Sequence, residues 1–157
     1  FDDSSRVYSD DNTSRIHYLL SRQVAVSAGE YLYRQHEASA THRFDLRRLD
    51  FLAANRSLRS LLERYQANTD ILTACEEHCW RNFVGLYLQF RRQWATFTPQ
   101  EHQLIRLSFK ESLQEMRPER LPCALRWSPS WLFVRPFSLF VAYRQVLSVL
   151  KKILKPF

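Results

Sequence analysis

Apolar positions recur along most of the chain at three- and four-residue steps, the signature of helices that bury one face. Ile16, Leu20, Val24 and Tyr31 predict a first helix over Ser14–Glu37, with Asp11, Asn12 or Thr13 placed to cap it. A second is predicted from about Phe44 to Gln66, where Phe51, Ala54, Leu58, Leu61, Leu62 and Tyr65 share a face and Arg48, Arg56 and Arg59 fall away from it as a solvated back. The longest stripe, Leu72, Cys75, Cys79, Phe83, Leu86, Phe90, Trp94 and Phe97, predicts a helix over Thr69–Phe97. At ~1.5 Å per residue that helix runs roughly 40 Å, more than a small domain needs, so one end is expected to reach a neighbour. Thr98-Pro99-Gln100-Glu101 then supplies a cap, a first-turn proline and a reciprocal capping-box partner for a fourth helix, with Ile105, Phe109, Leu113 and Met116 inward.

The expected architecture is all-α: four to five helices, one of them long (residues 69–97), and a C-terminal basic amphipathic helix. Four regions follow along the chain: an acidic, loose tail (1–12), a helical body (13–116), a Pro-rich connector (117–128) and a basic aromatic helix (129–157). Glycine supports this reading, since only Gly29 and Gly85 are available for the positive-φ turns that hairpins use.

Charge changes the picture at one end only. The net charge is +7, yet residues 1–119 hold sixteen basic and sixteen acidic side chains. The whole excess therefore lies in residues 120–157, as Arg120, Arg126, Arg135, Arg144, Lys151, Lys152 and Lys155 without one acid. Such asymmetry points to a local attractive surface rather than a basic coat. From Ala142 onward, a helical projection puts Arg144, Gln145, Ser148, Lys151, Lys152 and Lys155 in one arc and fills the rest with apolar residues; Pro136 marks where this helix restarts.

Three readings of the tail compete. As a membrane span, Trp131–Leu150 has the ~20 residues required, but Arg135 and Arg144 interrupt it at about 2.5–3.5 kcal/mol each near a helix centre. As a last core helix, its lysines suit the C-terminal dipole. The preferred reading is an interfacial or partner-docked helix, whose candidate lipid- or partner-binding residues are Trp127, Trp131, Arg135, Phe137, Phe140, Arg144, Lys151, Lys152 and Lys155.

Catalytic chemistry is not expected. There is no P-loop, dinucleotide fingerprint or His-Glu-x-x-His element, and His17, His36, His42, His78 and His102 are scattered. Cys75-Glu76-Glu77-His78-Cys79 puts two thiols on one helix face but turns His78 away, short of the four converging ligands zinc takes. Buried structural thiols are preferred over a disulfide to Cys123 or a metal site, and no cofactor is expected. The Cys-x3-Cys spacing resembles one half of the paired helices of small intermembrane carriers, whose second pair is absent. Leu32-Tyr33-Arg34 resembles the tripeptide of the LYR-motif family of small mitochondrial helical proteins; three residues match and no role is carried over.

The chain begins with Phe1 and reads as a processed form or a fragment. The functional expectation is a non-catalytic accessory subunit of a large membrane-associated complex, with the mitochondrial inner membrane (respiratory complex or ATP synthase) as its setting. Its partners would be other subunits and anionic lipid, cardiolipin included. The alternative is a mitoribosomal or other RNA-binding helical protein, which would use Arg48, Arg56 and Arg59 as well as the tail.

Overall fold

The computed structural model describes residues 8–26, 28–29, 44–126 and 137–153, without the side chains of Ser9, Phe137, Lys151 and Lys152. Among the described residues six α-helices follow in order: α1 (Ser9–Leu20), α2 (Asp50–Arg64), α3 (Thr69–Arg92), α4 (Pro99–Gln114), the single turn α5 (Cys123–Arg126) and α6 (Phe137–Ile153). Short 3-10 turns at Leu46–Leu49, Trp94–Thr96 and Pro118–Arg120 join them, and the described residues contain no strand. The fold is all-α.

α3 is the hub. Its 24 residues span about 36 Å at ~1.5 Å per residue, and α2, α4 and α6 all bury side chains against it. Trp80, Phe83, Leu86, Tyr87 and Phe90 of α3 meet Ile105, Phe109, Leu113 and Met116, Leu52 of α2, Leu121 and Phe140 of α6 in one continuous core. A second, smaller core joins Ile16 of α1, Leu58 and Leu62 of α2, and Cys75 and Cys79.

The ends of the helices have local causes. The turn from α2 to α3 uses Gln66 at φ 53°, a left-handed position for a side-chain-bearing residue. There the Ala67 amide donates back to the Leu62 carbonyl at 2.9 Å. Asn68 then caps α3, its side-chain oxygen accepting from the Ile71 amide at 2.9 Å. Thr98 caps α4 in the expected capping box: the Glu101 amide donates to its Oγ1 at 3.3 Å, while its own amide donates to the Glu101 carboxylate at 2.7 Å.

Several boundaries differ from those predicted. α1 starts at Ser9, inside the segment read as a loose tail, because Asn12 is not a cap. It is 1 % exposed, and its side-chain amide donates to the Ala54 carbonyl at 2.8 Å, pinning α1 to α2. Tyr8 adds an edge-on ring contact with Phe51, centroids 4.5 Å apart. α1 stops at Leu20 instead of running to Glu37; residues 21–26 are exposed, so the apolar spacing at Val24 meets no surface to bury it. Residues 30–43, with the Leu32-Tyr33-Arg34 tripeptide, lie outside the described residues.

α3 ends at Arg92, and Trp94 and Phe97 pack from the following 3-10 turn rather than from the helix. The described part of the connector is not simply extended: it contains the Pro118–Arg120 turn and α5.

Candidate functional site

Of the residues assigned to docking from the sequence, Trp127, Trp131, Arg135 and Lys155 lie outside the described residues. Phe137, Lys151 and Lys152 are placed only as positions in α6. Phe140 is a correction. It is 0 % exposed, with its ring centroid 5.0 Å from Tyr87, 5.5 Å from Phe83 and 6.1 Å from Trp80. A side chain so enclosed attaches α6 to the body and has no surface left for lipid.

The broad apolar arc of α6 is thus split into two halves. Phe140 faces the core, with Tyr143 and Leu147 half-buried around it. On the outer side Leu139, Val146, Val149, Leu150 and Ile153 are 47, 57, 56, 43 and 71 % exposed. Their spacing follows the three- and four-residue steps of a single stripe, with exposed Ala142 among them. Among the described residues no helix is long and apolar enough to cross a membrane.

Arg144, of the charged arc, does not point away from the protein as a solvated edge would. Arg144 is half-buried one turn after Phe140 and turns into a cleft between α3 and α6, shared with Arg91 and Arg92 of α3. Neither these α3 arginines nor the cleft itself had a sequence signal: they become neighbours of Arg144 only when Phe140 seats α6.

Several other arginines are engaged by the body. Arg59, expected on the solvated back of α2, is instead 7 % exposed beside Glu76, which is fully buried. Their Nε and Oε2 approach to 3.1 Å but are not aligned for a hydrogen bond. The other Glu76 oxygen accepts the Arg117 amide at 2.9 Å, so one carboxylate ties together α2, α3 and the segment after α4. Burial is the main influence on Glu76 and holds its carboxyl above the ordinary range; Arg59 opposes this. Arg56 pairs with Glu115 at 2.7 Å, and Arg48 lies over the Phe44 ring, 5.4 Å from its centroid. The three α2-side arginines of the RNA-binding alternative are therefore engaged within the fold.

Cys75 and Cys79 are buried free thiols with sulfurs 4.0 Å apart, and Cys79 also contacts the Asn55 carbonyl at 3.8 Å. The contact with Cys79, helped by burial, pushes the Cys75 thiol far up. Cys123 is exposed. His78 has an Asn82 amide 2.9 Å from Nε2, and burial lowers its pKa. The described residues contain no group of three His, Cys, Asp or Glu side chains able to hold a metal ion.

Comparison with known proteins finds no matching family model, no matching curated protein and no matching solved structure.

Proposed function

We propose that this protein is a non-catalytic helical subunit that docks an assembly onto an anionic lipid surface through the outer face of α6. The observation that carries the reading is the exposed stripe Leu139, Val146, Val149, Leu150 and Ile153 on a helix already fixed to the body by Phe140. Charge names the occupant: residues 120–157 carry seven cations and no acid.

Magnitudes decide what kind of attachment this is. Fully burying a Val, Leu or Ile side chain is worth ~1.5–3 kcal/mol, so five side chains about half exposed supply on the order of 4–7 kcal/mol. That compares with one acyl anchor, which binds marginally and reversibly; a second signal is needed for stable association. Basic side chains near an anionic surface add ~1 kcal/mol each and are screened by salt. The reading is therefore a peripheral, salt-sensitive attachment. The inner mitochondrial membrane, rich in cardiolipin, and a respiratory complex or ATP synthase are the setting proposed.

The test is co-sedimentation of the full chain with phosphatidylcholine vesicles with and without cardiolipin. Binding is expected only to the anionic vesicles, and is expected to be lost in V149D/I153D, whose sites are exposed. Equal binding of that variant would sink the docking assignment, as would binding of the wild type to neither vesicle. Stable co-purification with other subunits in the absence of lipid would transfer the stripe to a protein partner.

A further inference from the structure

Among the described residues, Arg15 pairs with Asp11, Arg56 with Glu115, Arg59 with Glu76, Arg81 with Glu77, and Arg117 and Arg120 with Glu63. None of the ion pairs among the described residues involves Arg91, Arg92, Arg106 or Arg144.

Arg91, Arg92 and Arg144 line a cleft of about 480 Å³ between α3 and α6, and no acidic residue lines it with them. The size falls within the range of small-ligand sites. The negative end of the α3 dipole accounts for basic residues in its last turn, Arg91 and Arg92. It does not account for Arg144, which arrives from the middle of α6. The Arg144 Nε is shut off from water and has no hydrogen-bond partner, and a buried charged donor without an acceptor is costly.

Arg91 is also held from outside the cleft. Arg91 and Arg106 both lie over the Trp94 ring, 5.6 and 5.4 Å from its centroid, and His102 stacks on that ring at 4.0 Å. Arg91, Arg144 and Arg106 all favour loss of the Tyr87 proton, although burial outweighs them and keeps the phenol above its ordinary range. Arg91 and Arg144 thus share both the cleft and the Tyr87 side chain that lines it.

We propose that this cleft binds the phosphate of an anionic phospholipid, with Arg144 as the inner donor and Arg91 and Arg92 closing over the oxygens. Guanidinium forks match phosphate oxygens, and their hydrogen bonds are charge-assisted. Hydroxyl and amide groups of Ser148 and Gln145 supply further donors, while Leu88 and Leu147 give the cleft an apolar wall. Leu147 lies about 100° round α6 from Val146, so the cleft and the exposed stripe are separate faces of the helix, and the lipid is named for its phosphate and for the anionic surface proposed above. The lipid assignment rests on the surface-docking reading above; an anion site as such does not.

The experiment titrates the full chain with a short-chain, monomeric phosphatidic acid, and separately with inorganic phosphate, by calorimetry. Vesicles of phosphatidylcholine with about 20 mol% phosphatidic acid form a third arm, supplying an anionic surface. Saturable one-to-one binding of the short-chain lipid is expected, weakened about tenfold or more in R144Q and in R91Q/R92Q, the loss due to charge-assisted hydrogen bonds. V149D/I153D should keep short-chain binding and lose vesicle binding. Arg91 and Arg92 are exposed, so their variant tests the cleft even where R144Q unfolds.

Vesicle binding without short-chain binding, or unchanged affinity in R91Q/R92Q, would overturn the cleft and leave surface docking standing. Short-chain binding without vesicle binding would support the cleft and remove the docking. Inorganic phosphate bound as tightly as the lipid would overturn the lipid assignment in favour of the free ion.

Discussion

Replacing Phe140 by alanine tests whether α6 is held to the body in the way described. The side chain is fully buried and touches Tyr87, Phe83 and Trp80 with ring separations of 5.0 to 6.1 Å. Removing a buried phenylalanine costs ~3–5 kcal/mol through lost transfer energy and the cavity left behind. Three aromatic pairs, worth about 0.5–1.5 kcal/mol each beyond area burial, put this site toward the upper end. For a chain of this length each kcal/mol moves the midpoint by ~2–4 °C, so a fall on the order of 10–15 °C is expected.

Urea unfolding followed by tryptophan fluorescence measures the loss directly, because Trp80 is one of the three partners. Hydrogen exchange in residues 138–150 should quicken more than exchange in α3, since α6 loses its deepest contact while α3 keeps α2 and α4. A stability loss below about 1 kcal/mol with unchanged exchange in α6 would refute the packing on which the cleft and the exposed stripe both depend.

Other outcomes are equally open to measurement. Arg59→Leu should cost ~3–5 kcal/mol by stranding the buried Glu76, and Arg59→Leu with Glu76→Leu should recover much of it; equal losses in both variants would refute a coupled pair. Gly85→Ala should stabilise α3 by about 0.5–1 kcal/mol, because an added Cβ meets nothing within 4 Å; thermal melting checks it, and a loss would show a missed contact. Thr98 donors hold the Glu101 carboxyl below its ordinary 4.5, so this contribution is present above 4.5 and is lost as pH falls through the lowered value. Glu101→Gln should therefore flatten the acid side of the stability profile, and an unchanged profile would count against it. With a maleimide, Cys123 should react quickly and Cys75 and Cys79 only on unfolding; three equal rates would contradict their burial.

What could be read from the residues depended on range. The α4 capping box is legible because Thr98, Pro99 and Glu101 meet within one turn, needing no tertiary information. The α3 stripe is legible from Leu72 to Phe90 because α3 is covered along its length. The same periodicity misleads in α1: a spacing rule counts Val24 without knowing that residues 21–26 have no surface to lie against. Glu76 sits beside Glu77 and His78 with no local signal of burial; the arrival of Arg59 and the Arg117 amide makes its burial tolerable. In α6 the pattern marks a wide apolar arc, but not which half of it finds Trp80 and Phe83. Phe140 and Val149 are indistinguishable by hydropathy and end up on opposite sides.

The placement of Phe140 near the start of α6 makes the helix a cantilever. Its root is clamped among three rings, whereas Ser148, Val149, Leu150 and Ile153 are all exposed. Phe140 and Ile153 are about 20 Å apart at ~1.5 Å per residue, and the arm is exposed beyond the half-buried Leu147. Sites that far apart with no shared neighbours act additively, so a change at the tip should leave the clamp's stability untouched. A load on the tip reaches the body as torque at the root, where Arg144 lies one turn from the pivot. Tilting the arm would therefore open or close the arginine cleft before it disturbed the core.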